Sequence, residues 1–233
     1  MTDVGSILVV VAHPDDEVLG CGGTLAALAA AGHAVHVLIL ADGERSRNGM
    51  SEAAIQRRVR RRELAARRAA DRMGVCSVEV LGLPDQRLDS VDLLDIVQAI
   101  ERSVETTKAS MVLTHHAGDV NIDHRCVHDA AVTACRPQPG NPVHTLLFFE
   151  VPSSTEWRPP CSAGAFAPNW YVDITAVVEA KMEALSCYGE ELRPFPHPRS
   201  TEAVMALMKW RGAAVGVPAA EAFELGRYVC RWP

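Results

Sequence analysis

Apolar runs and helix-forming segments alternate along the first part of the chain. The run ILVVVAH, which starts at Ile7, is continuous, β-branched and apolar, a pattern typical of a strand covered on both faces in a parallel sheet. Residues 19–31 predict a helix, and the run HAVHVLIL from His33 predicts a second strand. These three segments together predict one βαβ unit.

The same alternation continues as far as Val151. Residues 51–73 are rich in Ala, Arg and Glu and are followed by Gly74, which predicts a long helix with a glycine stop. The other predicted elements are a strand at 78–83, a helix over 92–105, a strand at 111–116 and a helix over 124–136. Such alternation implies right-handed crossovers. We therefore expect a three-layer, Rossmann-like α/β fold, with a mostly parallel sheet and helices on both faces.

The pattern changes beyond Val151. The loop SSTEWRPPCSAGAFAPN is too long for a simple connector, which favours a functional role. A strand at 170–174, a helix over 176–192, the loop RPFPHPRS and a helix over 201–215 are predicted after it. We expect a single domain over residues 1–233, in which residues 1–151 form the core and residues 152–233 complete the site.

Composition narrows the classes of function. The chain has 233 residues, of which 48% are hydrophobic, and its net charge is -6 with a pI of about 5.8. It therefore lacks the basic surface that nucleic acid requires. No apolar stretch approaches a membrane span, and the start MTDVGS lacks the features of a signal peptide. The seven scattered cysteines form no CxxC pair, which favours reduced thiols. We expect a cytoplasmic protein.

Acidic side chains crowd the end of the first predicted strand. That strand runs directly into AHPDDE, residues 12–17, which holds one imidazole and three carboxylates. Ligands of open α/β sheets bind beyond the carboxyl ends of the strands. Carboxylates packed this closely repel one another and raise each other's pKa. A bound divalent cation would remove this conflict.

A second group of polar residues follows the strand MVLTHH. It spans residues 119–124 and ends in His124, at the start of a helix. Two imidazoles and one carboxylate, with one position left for water, are typical of a catalytic zinc site. Mg²⁺ prefers oxygen ligands alone, whereas Fe²⁺, Co²⁺ or Mn²⁺ could occupy similar ligands. Zinc is therefore the expected cofactor.

Two motifs, AHPDDE and the later NIDH, resemble those of the LmbE-like or PIG-L family of zinc-dependent N-acetylglucosaminyl deacetylases. The segments RRRELAARRAADRMG, LGLPDQRLDS, FEVPSSTEW, PNWYVDI and PHPRS follow the order of its shorter bacterial members, so the resemblance covers nearly the whole chain. It implies one zinc per chain held by His13, Asp16 and His124, with Asp15 as the general base. The implied reaction removes the acetyl group from an N-acetylglucosamine-type sugar or its conjugate and releases acetate.

One position departs from the family pattern. Many members have a histidine three residues before the later metal-binding histidine, where it stabilises the oxyanion, and this chain has Asn121 there. An amide can donate a hydrogen bond to that oxygen but cannot supply a charge or a proton. His197, in the PHPRS loop, is a candidate to compensate.

Further assignments concern the surroundings of the metal and the substrate. Asp123 is expected to hold a ligand or a neighbouring donor in orientation. By the resemblance, Arg60 and Asp85 hold sugar hydroxyls or a phosphate, and Arg199 is a further candidate for an anionic group. His115 is ambiguous, and Trp157 is either a packing residue or a wall against which a sugar stacks.

Other functions compete with a deacetylase. A nucleotide-binding oxidoreductase would share the fold class, but the G-x-G-x-x-G fingerprint is missing. An N-deacylase or amidase of an amino-sugar natural-product intermediate stays open, as does a catalytically silent sugar-binding protein of the same fold. The expected partner is a small amino-sugar or glycoconjugate substrate. Related bacterial members form trimers or hexamers, so a homo-oligomer is also expected.

Overall fold

The computed structural model of the chain describes residues 5–46, 49–159 and 164–230. Its strands are β1 Ser6–Val11, β2 Val35–Ala41, β3 Ser77–Leu83, β4 Ala109–His115, β5 Thr145–Phe149, β6 Trp170–Asp173 and β7 Ala220–Tyr228. They form one sheet in the order β3-β2-β1-β4-β5-β7-β6. The first five strands of that order are parallel, and β7 lies antiparallel between β5 and β6.

Helices cover both faces of the sheet. They are α1 Asp16–Ala30, α2 Glu52–Met73, α3 Leu93–Thr107, α4 Ile122–Ala134, α5 Val178–Ser186 and α6 Thr201–Ala213. Alternate residues of β1 belong to two separate apolar cores: Val9 packs with α1, α2, α5 and α6, and Leu8 packs with α3 and α4. Helices on both faces of a mostly parallel sheet confirm the predicted three-layer α/β fold. Because β1 is buried on both faces, it is apolar at nearly every position, as the sequence indicated.

Helix α1 differs from the prediction in its start and in its shape. It begins at Asp16, three residues earlier than expected, so the acidic motif enters its first turn. Its backbone is non-helical at Cys21, with φ −148° and ψ 18°. The amides freed beyond this break are those of Gly23 and Thr24, and they donate to the carboxylate of Glu221 at 2.8 and 2.7 Å. A distant part of the chain thus stabilises the break.

The C-terminal part also departs from the prediction. The helix expected over 176–192 is confined to α5, and turns follow it. Strand β7 was not predicted at all, although it joins β5 to β6. Residues 160–163 of the long loop, which include Cys161, lie outside the described residues, and the other six cysteines have free thiols. No helix in the described part of the chain has the length and apolar character needed to cross a bilayer.

Candidate active site

The two predicted motifs meet at one edge of the sheet. Strands β1 and β4 are parallel neighbours, so the residues that follow them emerge side by side. The rings of His13 and His124 lie with their centroids 5.5 Å apart, although nearly half of the chain separates the two residues in sequence. Both side chains are buried. The sequence therefore assembles the site from two loops that only the sheet brings together.

Three side chains converge so that one ligand atom from each could hold a metal ion. The Nδ1 atom of His13 and the Nε2 atom of His124 each lie 3.3 Å from Oδ2 of Asp16. Among the described residues, Oδ1 of Asp16 and Nε2 of His124 are buried without a hydrogen-bond partner. Buried polar atoms of this kind are normally paired. The two unpaired atoms, together with the nearby Nδ1 of His13, therefore fit a divalent cation.

Buried carboxylates orient both imidazoles from outside. The Nε2 atom of His13 lies 2.9 Å from Oδ2 of Asp123, and Nδ1 of His124 lies 3.1 Å from Oδ2 of Asp119. If each ring donates its outer N–H to that carboxylate, its inner nitrogen presents a lone pair toward Asp16. Such outer partners are typical of metal-binding histidines.

The electrostatics of the cluster follow from this arrangement. Burial lowers the pKa of His13, but hydrogen bonds with Asp123 and Asp16 outweigh it and raise that pKa to about 10. Burial also lowers the pKa of His124, but the carboxylates of Asp16 and Asp119 outweigh it and raise that pKa to about 9. Although burial raises the pKa of Asp16, the charge of His124 lowers it well below the usual range. Without a cation, protons on the imidazoles balance the carboxylates.

Asp15 lies beside this cluster in a strained conformation. Its φ is 112°, in the left-handed region that non-glycine residues rarely adopt, and its side chain is buried. Oδ2 accepts hydrogen bonds from Arg62 at 3.2 Å and from Arg199 at 3.0 Å, whereas Oδ1 has no partner among the described residues. Burial raises the pKa of Asp15, and the charges of Arg199 and Arg62 oppose that rise. Backbone strain is common at functional sites.

The arginine that α2 contributes to the site is Arg62. The structure does not bring Arg60 there. Arg60 lies on the exposed side of α2, whereas Arg62 is buried and also donates to the carbonyl of Pro14 at 2.9 Å. Residues two apart on a helix point about 200° away from each other, so the two cannot share a face. The buried residues Val59 and Ala66 lie three before and four after Arg62. This helical spacing was a signal that could have identified Arg62.

A cavity of about 190 Å³ opens beside the cluster. Its lining consists of polar and charged residues with one glycine: His13, Asp15, Gly43, Ser46, Arg62, Asp85, Gln86, Asn121, Glu191 and Arg199. The predicted residue Asp85 is buried there, with Oδ1 at 3.4 Å from Nε2 of His13 and Oδ2 accepting from the Ser46 hydroxyl at 2.6 Å. Ser46, Gln86 and Glu191 were not predicted. Ser46 and Glu191 lie in loops that carry no motif, whereas Gln86 directly follows Asp85 in the segment LGLPDQRLDS.

Asn121 presents a defined group to this cavity. It is the N-cap of α4, and its Oδ1 accepts from the amide of Asp123 at 2.9 Å. The acceptor is thus occupied, and the amide NH₂ remains as a donor. Asp123 is buried and also accepts from the backbone amides of Gln86 and Leu88 at 2.7 and 2.9 Å.

His197 and His115 have different surroundings. His197 does not line the cavity; its Nδ1 accepts from the amide of Arg199 at 3.0 Å, and its ring meets Trp157 edge-on at 5.7 Å. His115 is fully buried and stacks on His124 with ring centroids 3.9 Å apart. Burial lowers its pKa well below the usual value, so the ring is neutral. It supports the orientation of the His124 ring by packing against its face.

Comparison with known proteins places these motifs in a family. The family described as PIG-L, GlcNAc-PI de-N-acetylase, matches residues 8–135, more than half of the chain. The chain is 27% identical to the 2'-N-acetylparomamine deacetylase of Streptomyces fradiae, over 80% of this chain and 74% of the relative. It is 31% identical to the 4-oxalmesaconate hydratase of Pseudomonas putida, with the same two coverages.

A solved structure shows the same fold. The conserved protein TT1542 from Thermus thermophilus superposes with a TM-score of 0.75 at 28% identity, over 98% of this chain and 97% of that one. The match therefore includes the C-terminal elements that lie beyond residue 135.

Proposed function

The chain belongs to the PIG-L, or LmbE-like, family of deacetylases, and we propose that it is a zinc-dependent hydrolase that removes the N-acetyl group from an amino sugar or its conjugate and releases acetate. One observation carries the proposal: His13, Asp16 and His124 converge on one point, with the buried carboxyl of Asp15 beside them. The similarity to an acetylparomamine deacetylase supports an amino-sugar substrate.

The three converging residues would hold the metal. Their two nitrogens and one carboxylate oxygen favour zinc over Mg²⁺. When bound, zinc supplies Lewis-acid polarisation of a carbonyl and lowers the pKa of water to about 7. Asp119 and Asp123 keep the imidazoles in the tautomers that such binding needs.

Asp15 is proposed as the general base and Asn121 as an oxyanion donor. Arg62 and Arg199 hold Oδ2 of Asp15, which leaves Oδ1 to take a proton from the attacking water and return it to the leaving amine. The NH₂ group of Asn121 would donate to the oxyanion, because its own oxygen is engaged by the helix cap. This donor is neutral, so the protonated carboxyl of Asp15 is the proposed acid.

The cavity beside the predicted metal ligands is small and open to solvent on one side. Its volume of about 190 Å³ is below the roughly 300–1,000 Å³ of ordinary small-molecule pockets. The cavity therefore accommodates one part of the substrate, and the rest of a larger conjugate would extend through the open side. Asp85 and Ser46 line this cavity and are the proposed partners of substrate hydroxyls, whereas the charge of Arg199 is engaged by that of Asp15. We accordingly assign Arg199 to the base rather than to a substrate phosphate.

Metal analysis and acetate release test this function. We expect about one zinc per chain from the single ligand set, release of acetate from a panel of N-acetylated amino sugars, and loss of activity with a chelator. Asp15→Asn should retain zinc and lose most turnover, while Asp71→Asn, on the exposed side of α2, should match the parent. An Asp15→Asn variant with parental turnover would show that the base assignment is wrong.

The same panel separates the alternatives. The hydratase relative shows that a protein of similar sequence carries a different activity, so 4-oxalmesaconate belongs in the assay. Hydration of that compound without acetate release from any sugar would overturn the proposal. Binding of a sugar and zinc with no acetate released would identify a silent binding protein. Asn121→His should raise kcat if a neutral donor limits the present site.

A further inference from the structure

The segment just after β5 contacts two parts of the candidate site. We define the serine turn as Ser153, Ser154 and Thr155, which lie between β5 and the residues 160–163 that are outside the description. The turn is beyond the residues matched by the family, 8–135. Ser154 and Thr155 are nevertheless buried polar residues.

Two hydroxyls of the turn hold the carboxylate that orients His124. Ser154 Oγ donates to Oδ1 of Asp119, and Thr155 Oγ1 donates to Oδ2 of Asp119 at 2.7 Å. That same Oδ2 lies 3.1 Å from Nδ1 of His124. The Thr155 hydroxyl is itself fixed, because it accepts from the amide of Val151 at 2.8 Å. The orientation of His124 therefore depends on hydroxyls that are not themselves metal ligands.

The remaining residue of the turn holds the arginine of the general base. Ser153 Oγ accepts from Nε of Arg199 at 2.7 Å, and Nη1 of the same guanidinium donates to Oδ2 of Asp15 at 3.0 Å. A guanidinium is planar, so fixing Nε sets the direction of Nη1. Ser153 thus determines where Arg199 meets Asp15.

The turn is built rigidly. Ser153 has φ 68°, in the left-handed region. Its amide donates to Oε1 of Glu156 at 2.6 Å, and the amide of Ser154 donates to Oε2 at 3.3 Å. A conformation of this kind persists only where its surroundings hold it. The hydroxyls of adjacent residues consequently point in different directions, one toward Arg199 and the others toward Asp119.

We propose that the serine turn is a positioning element that sets two parts of the site independently: Ser154 and Thr155 fix His124 through Asp119, and Ser153 fixes Asp15 through Arg199. The inference rests on the proposed function, because it takes His124 as a metal ligand and Asp15 as the base. It goes further by assigning separate effects to neighbouring residues of one turn.

Cobalt binding and steady-state kinetics test the two parts separately. Thr155→Val and Ser154→Ala should weaken Co²⁺ binding by about 10-fold, the lower end of the effect of removing an outer partner of a ligand, because the hydroxyls act through that partner, Asp119. Thr155→Ser keeps the hydroxyl and should bind Co²⁺ with the affinity of the parent. Ser153→Ala should bind Co²⁺ as the parent does, with an unchanged KM and a kcat lowered by roughly tenfold. Co²⁺ affinity is measured by competition with a chelator, and the visible Co²⁺ spectrum reports the ligand geometry.

Controls separate positioning from folding. Thr175→Val removes another Thr hydroxyl, one bonded to Asp173, and should change neither quantity. The inference is wrong if Ser154→Ala and Thr155→Val bind Co²⁺ as the parent does, or if all three turn variants lose affinity, kcat and thermal stability together. If the parent binds no Co²⁺, both the proposed function and this inference fail. A parent that binds Co²⁺ and releases acetate while the variants do the same refutes the inference alone.

Discussion

A buried ion pair between α5 and β7 contacts the backbone of α1 at its break. Lys181 Nζ lies 2.6 Å from Oε1 of Glu221 and donates to the carbonyl of Leu19 at 3.1 Å. The exposed fractions of the two side chains are 2% and 3%. The carboxylate also accepts from the amides of Gly23 and Thr24, so it satisfies one charge and two backbone donors at once.

Glu221→Gln removes the charge and leaves the ammonium of Lys181 buried without its partner. Removing one member of a buried ion pair costs about 3–5 kcal/mol of unfolding free energy. For a chain of this size, each kcal/mol corresponds to roughly 2–4 °C in Tm, so a loss of about 10 °C is expected. Urea denaturation at a fixed metal concentration measures the free energy, and calorimetry measures Tm.

Two further variants make the test specific. Lys181→Met combined with Glu221→Gln should be less destabilised than the sum of the single changes, because no unpaired charge remains buried. Glu183→Gln breaks the exposed pair with Arg72 and should change stability by at most about 1 kcal/mol. The reasoning is refuted if Glu221→Gln costs no more than Glu183→Gln, or if the two changes in the pair are additive.

Three other predictions concern the site and its packing. Arg62→Ala should lose most acetate release while Arg60→Ala keeps the parental rate, and equal rates would disprove the assignment from the structure. Gly20→Ala should destabilise by about 1–3 kcal/mol in urea denaturation, since its Cβ would overlap the Phe149 ring, whereas Gly189→Ala serves as a control in open surroundings. Zinc affinity should rise with pH from 6 to 8, because the raised pKa values of the two metal-binding imidazoles mean that the metal must displace two protons. Chelator competition at pH 6, 7 and 8 checks this, and an affinity independent of pH would contradict it.

The prediction from sequence was strongest where local pattern and tertiary surroundings agree. The strand from Ile7 is buried on both faces, so its continuous apolar run marked it correctly. The predicted start of α1 is three residues late, because acidic residues after a strand favour a loop, whereas Asp16 enters the first helical turn. Strand β7 was missed because its sequence AEAFELGRY alternates only weakly and carries charges that the fold pairs elsewhere.

The site likewise contains some residues that the sequence indicates and others that only the structure places. The grouping of His13, Asp15, Asp16 and His124 was predictable, because parallel strands end at one edge of a sheet and the motifs follow those strands directly. The motif favours Arg60, whereas the structure places Arg62 beside Asp15, since a motif gives a spacing but a helix turns about 100° per residue. Ser46 and Glu191, which line the cavity from separate loops, have no sequence signal.

The sequence by itself determined the alternation of strands and helices, the edge at which chemistry is expected and the residue types able to bind a metal there, because periodicity and strand ends are local properties of the chain. Only the tertiary structure decided which arginines hold Asp15, which carboxylates orient the imidazoles and how the serine turn joins both parts. Those contacts connect residues far apart in the chain, as between Ser154 and Asp119 or between Arg199 and Asp15. Their geometry depends on packing between elements, which no local pattern encodes.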